Sequence, residues 1–124
     1  MRVIIVDDDP IVAKSLSLIL SAEADIEPIA TGTRGDDAIT LFEECLPDVL
    51  LMDIQMPGRD GLSAAEEILS RHPDARIVFL TTFSDDEYIV RALRLGTRGY
   101  LIKQDISTIA PALRSVMAGQ GVLE

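Results

Sequence analysis

Five residues stand out because each closely follows a short apolar run. Asp7 and Asp8 come after Val3-Ile4-Ile5-Val6, Asp53 after Val49-Leu50-Leu51-Met52, Thr81 after Ile77-Val78-Phe79-Leu80, and Lys103 after Gly99-Tyr100-Leu101-Ile102. Three carboxylates converging on one small crevice would repel, and each would resist ionisation. A divalent cation that prefers hard oxygen ligands resolves the conflict, and Mg²⁺ suits it because it accepts one or two carboxylates and keeps several waters. A hydroxyl and an ammonium facing those acids supply the donor and the positive charge that the oxygens of a phosphoryl group require. The set reads as a site built to receive phosphate onto a carboxylate, with Asp53 at its centre. Taken singly, any of these residues is as well explained as a helix cap or a loop charge, Thr81 above all. Their shared place behind four apolar runs is what argues for a site.

The elements that must position them are legible. The apolar runs are too short for helices and lack alternation, so they read as strands buried on both faces. Weaker strands are predicted near Ile26–Ala30 and Gly99–Ile102. Between the strands lie segments of helical spacing. The first opens at Asp9-Pro10, an N-cap followed by proline at the first helical position. The second spans Gly35–Cys45. The third runs over Leu62–Arg71 and stops at His72-Pro73, since a residue before proline avoids helical geometry. The fourth opens on a capping box, Ser84-Asp85-Asp86-Glu87, and ends before Gly96. The fifth covers Thr108–Ala118. Five strands alternating with five helices imply a parallel sheet covered on both sides. Pro28 removes a ladder donor and belongs on an edge strand, which puts the second strand at the rim. Strand order 2-1-3-4-5 satisfies that, giving an α/β, flavodoxin-like doubly wound (βα)5 domain. Its ligand site lies beyond the carboxyl ends of the first and third strands. No repeat or composition break divides the chain, so residues 1–124 read as one domain.

Composition removes other classes. The 21 acids against 11 bases give a net charge of −10, which argues against this chain gripping nucleic-acid phosphates itself. One cysteine, Cys45, excludes a disulfide framework and a multi-cysteine zinc site. No apolar run approaches the ~20 residues that span a bilayer, and the first carboxylates arrive too early for a signal peptide. A cytoplasmic protein that does not enter the membrane is expected.

With these residues in view, a resemblance follows. Val6-Asp7-Asp8-Asp9-Pro10, Leu51-Met52-Asp53-Ile54-Gln55-Met56-Pro57-Gly58 with Asp60-Gly61, Leu80-Thr81-Thr82 and Gly99-Tyr100-Leu101-Ile102-Lys103 together resemble the receiver domain of bacterial two-component response regulators. The similarity extends over essentially the whole chain. Leu80–Lys103 further resembles the NarL/FixJ branch, whose receivers usually precede a LuxR-type helix-turn-helix output domain. The resemblance implies that Asp53 is the phosphoacceptor, taking phosphate from the histidine of a sensor kinase. It implies that Asp8 and Asp53 ligate Mg²⁺, with Asp7 acting directly or through water and Gln55 giving its backbone carbonyl. Thr81 would hydrogen-bond the phosphoryl group, Lys103 would pair with it, and Tyr100 would be the aromatic switch. It also implies a phosphorylation-dependent homodimer, built on the first and fifth helices or on the fourth-helix face, and DNA contacts made by an output domain lying outside these residues. The chain is then expected to be a piece of a longer transcription regulator. It would be no enzyme beyond Mg²⁺-dependent self-phosphorylation and autodephosphorylation.

Two departures from the family pattern matter. Many receivers carry proline after the lysine, often with a cis bond; here Gln104 stands there, and a trans Lys103–Gln104 peptide is expected because a non-proline cis bond costs ~2.5–4 kcal/mol. Pro111 falls in the first turn of the fifth helix, so that helix is expected to begin late or distorted. His72 reads as a solvated helix-end residue, and Cys45 and Met52 as core. The glycines of Thr31–Gly35 do not form a dinucleotide fingerprint. A haloacid-dehalogenase-type phosphotransferase would need an acid two residues after its nucleophile, where Gln55 stands. A flavodoxin-like electron carrier would need a hydroxyl-rich phosphate loop where Asp7 and Asp8 stand.

Overall fold

The computed structural model describes residues 1–82, 86–103 and 105–121, apart from the side chain of residue 86. In chain order the elements are β1 (Arg2–Val6), α1 (Pro10–Ser21), β2 (Glu27–Gly32), α2 (Gly35–Cys45), β3 (Val49–Asp53), α3 (Gly61–Arg71), β4 (Ile77–Thr81), α4 (Asp86–Arg94), β5 (Gly99–Ile102), a single 3₁₀ turn (Ile106–Thr108) and α5 (Ile109–Met117). The strands form one parallel sheet in the order β2-β1-β3-β4-β5, as the alternation of runs predicts.

The unbroken apolar runs are explained by a sheet with no wet face. Ile4, Val6, Leu50, Met52 and Phe79 point into a core shared with α2, α3 and α4. Their neighbours Val3, Ile5, Val49, Leu51, Val78 and Leu80 point the other way, into a core closed by α1 and α5. Successive residues alternate between the two layers, because strand side chains have period 2. Cys45 packs half-buried against the first core and Met52 is fully buried within it.

Local chemistry sets the element ends. Asp9 caps α1 by accepting a hydrogen bond from Ile11 N–H at 2.9 Å. Pro28 lies on the edge strand, next to a register shift that pairs Val3 with Pro28 but Ile4 with Ala30. The bulge leaves one extra residue on the rim strand, where no second neighbour needs its donors. The second strand runs to Gly32, two residues further than apolarity alone suggests, pairing it with Val6. The predicted distortion around Pro111 is present: a 3₁₀ turn precedes α5, and Pro111 stands third in a helix that starts at Ile109, not Thr108. The expected cap residues Ser84 and Asp85, and the Lys103–Gln104 peptide, lie outside the described residues.

One glycine decides how closely α3 approaches the site. A Cβ on Gly61 would fall 2.2 Å from the backbone oxygen of Asp53, and Gly61 N–H donates to Ile54 O at 2.7 Å. Gly61→Ala must push α3 away from the end of β3. Urea unfolding is expected to show a loss of about 1–3 kcal/mol, the usual range for overpacking.

Candidate functional site

The carboxyl ends of β1, β3, β4 and β5 bring most of the predicted site residues together. Asp7 leaves β1 fully buried. Its backbone N–H donates to Gly32 O at 3.1 Å, and its Oδ1 accepts from Asp9 N–H at 2.9 Å. The turn that caps α1 thereby also orients Asp7. Its other oxygen, Oδ2, is buried without an aligned hydrogen bond, yet lies 2.6 Å from Lys103 Nζ. That contact is an ion pair held off the hydrogen-bonding direction.

Lys103 reaches the site from just beyond β5. Its backbone N–H donates to Thr81 O at 2.7 Å, so the β4–β5 ladder continues one step past the sheet and fixes the root of the side chain. Its ammonium donates to Asp53 Oδ2 at 3.0 Å. One cation thus bridges two carboxylates from two neighbouring inner strands. Burial alone would lower the Lys103 pKa, but its pairing with the carboxylates of Asp7 and Asp53 prevails and holds it above its usual value.

Asp53 is 6% exposed at the end of β3. Its pKa is pushed up to about 6, chiefly by burial; Lys103 opposes the rise, and Asp8 and Asp7 reinforce it. Oxygens of Asp7, Asp8 and Asp53 lie within 4.8 Å of one another, and Asp8 is exposed. With one ammonium for three carboxylates, the cluster is short of positive charge. The donor set is all hard oxygen, one buried oxygen lacks an aligned donor, and one ligand opens to solvent where bound waters can sit. These features fit a divalent cation of the Mg²⁺ type, and the three carboxylates form a group that could hold a metal.

The other predicted residues divide. Thr81 ends β4 half-buried beside the cluster. Gln55 is exposed on the rim of a groove that Asp8 also lines. Tyr100 lies deeper, 7% exposed, paired across β4–β5 with Phe79 and packed in the core with α4. Its side chain is already buried in that core. His72 closes α3 and bonds Glu43 Oε1 through Nε2 at 2.9 Å, far along the chain from the cluster.

Sequence reading did not anticipate the bridging position of Lys103 or the full burial of Asp7. It also assigned no role to Asp60, which caps α3 through Ser63 N–H at 2.8 Å; Tyr88, readable as a packing residue, does pack against the core and also lines the same groove as Asp8 and Gln55. An aspartate directly before a close-approach glycine was the available signal for Asp60.

Comparison with known proteins agrees with this geometry. Residues 3–114 match the response regulator receiver domain family, and the chain belongs to that family. It is 40% identical over 123 residues to the transcriptional regulatory protein DesR of Bacillus subtilis, covering 98% of this chain and 61% of that protein. It is 39% identical over 125 residues to the response regulator protein VraR of Staphylococcus epidermidis, covering 100% of this chain and 60% of that protein. The chain thus spans little more than half the length of the curated relatives it matches. The signal receiver domain of the response regulator NarL from Mycobacterium tuberculosis superimposes with a TM-score of 0.90 at 28% identity, covering 96% of this chain and 97% of that one. The relatives are of the NarL/LuxR group, as the Leu80–Lys103 segment suggests. Among the described residues no helix is long and apolar enough to cross a membrane.

The buried acid makes a prediction. A carboxyl whose folded pKa lies near 6 contributes most below its unfolded value of about 3.9 and loses that contribution as pH rises through 6. In metal-free buffer, Asp53→Asn should therefore unfold at higher denaturant than wild type at pH 7, by on the order of 1–3 kcal/mol. The difference should shrink toward pH 4. Equal stability across that range would contradict the frustration of these acids.

Proposed function

We propose that this chain is a phosphorylation-switched receiver, accepting a phosphoryl group from the histidine of a sensor kinase onto Asp53 and passing the change to an output, a DNA-binding transcription-regulator domain beyond these residues. The observation that carries the reading is the Lys103 ammonium lying 2.6 Å from Asp7 and 3.0 Å from Asp53, with Asp8 alongside. Such an ammonium is ready to follow the negative charge when Asp53 gains a phosphoryl group.

The residues then divide the work. An Asp53 oxygen forms the bond to phosphorus as the bond to the donor nitrogen breaks. Lys103 turns from the carboxylates to a phosphoryl oxygen, and the Thr81 hydroxyl donates to another. Mg²⁺, held by Asp8 and Asp53, by Asp7 directly or through water, and by the Gln55 carbonyl, supplies further positive charge when bound. Movement of Thr81 toward the phosphate alters the space bordered by Tyr100 and repacks the surface of α4, β5 and α5, because packed interiors change between discrete arrangements. A symmetric homodimer is the readout this favours. The phosphorylated product is the protein itself, so the chain acts as a switch and not as an enzyme on an external substrate. With a net charge of −10 it does not bind DNA directly, and a cytoplasmic place follows from its partners.

Intact mass after incubation with Mg²⁺ and a small phosphodonor should show one added phosphoryl group, absent in Asp53→Ala. Persistence of the group in that variant, or no gain in wild type, would overturn the assignment. Mg²⁺ titration followed by NMR should show weak binding in wild type and at least tenfold weaker binding in Asp8→Asn, the scale expected for loss of one carboxylate ligand.

A further inference from the structure

Beside the acidic cluster, a groove of about 540 Å³ runs from Asp8 past Gln55, Met56, Gly58 and Asp60 to Tyr88 on α4. Its charged lining residues are both carboxylates, Asp8 and Asp60. Asp8 belongs to the metal set proposed above; Asp60 does not. Asp60 Oδ1 caps α3 at 2.8 Å from Ser63 N, and no cation among the described residues forms an ion pair with it. The neighbouring Arg59 is committed elsewhere, to Asp36 at 3.0 Å and Glu67 at 3.4 Å. The mouth of the site therefore carries a fixed negative charge that metal binding would leave uncompensated.

We propose that Asp60 makes the site select phosphodonors by the charge of their leaving group, favouring donors that release a neutral nitrogen base over donors that release an anion. The proposal rests on Asp53 being the phosphoacceptor. Phosphoramidate carries its three protons on nitrogen, so as the Asp53 O–P bond forms and the P–N bond breaks it departs as neutral ammonia. A phosphoimidazole protonated on its far nitrogen departs as neutral imidazole, and the Tyr88 side of the groove offers that ring an aromatic neighbour. Acetyl phosphate undergoes the same exchange at phosphorus but releases acetate, whose developing negative charge meets that of the half-buried Asp60 on the wall of the same open groove. Like charges sharing one groove slow that step and leave release of a neutral base unopposed.

The test measures initial rates of Asp53 phosphorylation by phosphoramidate and by acetyl phosphate, with saturating Mg²⁺, following intact mass. Intrinsic reactivities differ between donors, so the change in the rate ratio is the readout. Asp60→Asn keeps a good N-cap side chain while removing the charge. It should lower the phosphoramidate-to-acetyl-phosphate ratio about threefold to tenfold. Raising salt to ~1 M, where screening acts over ~3 Å, should lower the ratio in wild type but barely in Asp60→Asn, a comparison that needs no assumption about the variant's stability. Asp74→Asn, which removes an exposed acid at the opposite end of the sheet, controls for net charge and should leave the ratio as in wild type. Phosphorylation by both donors with a ratio indifferent to Asp60→Asn and to salt, or an equal drop in Asp74→Asn, overturns this proposal and spares the Asp53 assignment. No phosphorylation by either donor overturns both.

Discussion

The Lys103 ammonium is the interaction on which the site depends. It lies 2.6 Å from Asp7 and 3.0 Å from Asp53, and those two acids sit almost wholly out of water. Buried carboxylates are tolerated only when paired. Without this cation the ends of β1 and β3 would carry two uncompensated charges side by side, in the middle of the sheet. With it, the pair is held but still short of positive charge, because Asp8 adds a third carboxylate. The apo site is under electrostatic strain that a metal ion would relieve, and burial, reinforced by the neighbouring acids, holds the Asp53 carboxyl above its ordinary range.

The fold can be understood as the means of holding that ammonium. Lys103 follows a four-residue edge strand, and its backbone bond to Thr81 registers the lysine root against the strand that ends in the predicted hydroxyl. Asp7 is held by a turn whose next residue caps α1. Caps, ladder ends and the acidic cluster are thus one set of hydrogen bonds.

Much of this was legible in the residues. Asp9-Pro10 announced the start of α1, the unbroken valine and isoleucine runs announced strands covered on both faces, and Pro28 placed β2 at the rim. Asp7, Asp8, Asp53, Thr81 and Lys103 were readable as a set because a parallel sheet puts every strand's carboxyl end on the same side. What escaped were distances and local shifts. Spacing cannot say that a lysine bridges two acids, that Asp7 loses all contact with water, or that β2 bulges beside Pro28 and runs on to Gly32. Pro111 signalled trouble at the start of α5, but only the coordinates give its form as a 3₁₀ turn ahead of Ile109. Asp60 entered only as part of a motif, since its cap and its place on the groove both depend on how α3 is seated.

That seating gives the two sides of the site different compliance. On the acceptor side, the backbone of Asp53 is wedged against the first residue of α3, where there is no room even for a methyl group on Gly61. On the other side, Thr81 and Lys103 meet through a backbone bond one step past the end of the ladder. The end of β3 therefore has no slack toward α3, and the margin of β4 and β5 is held by less.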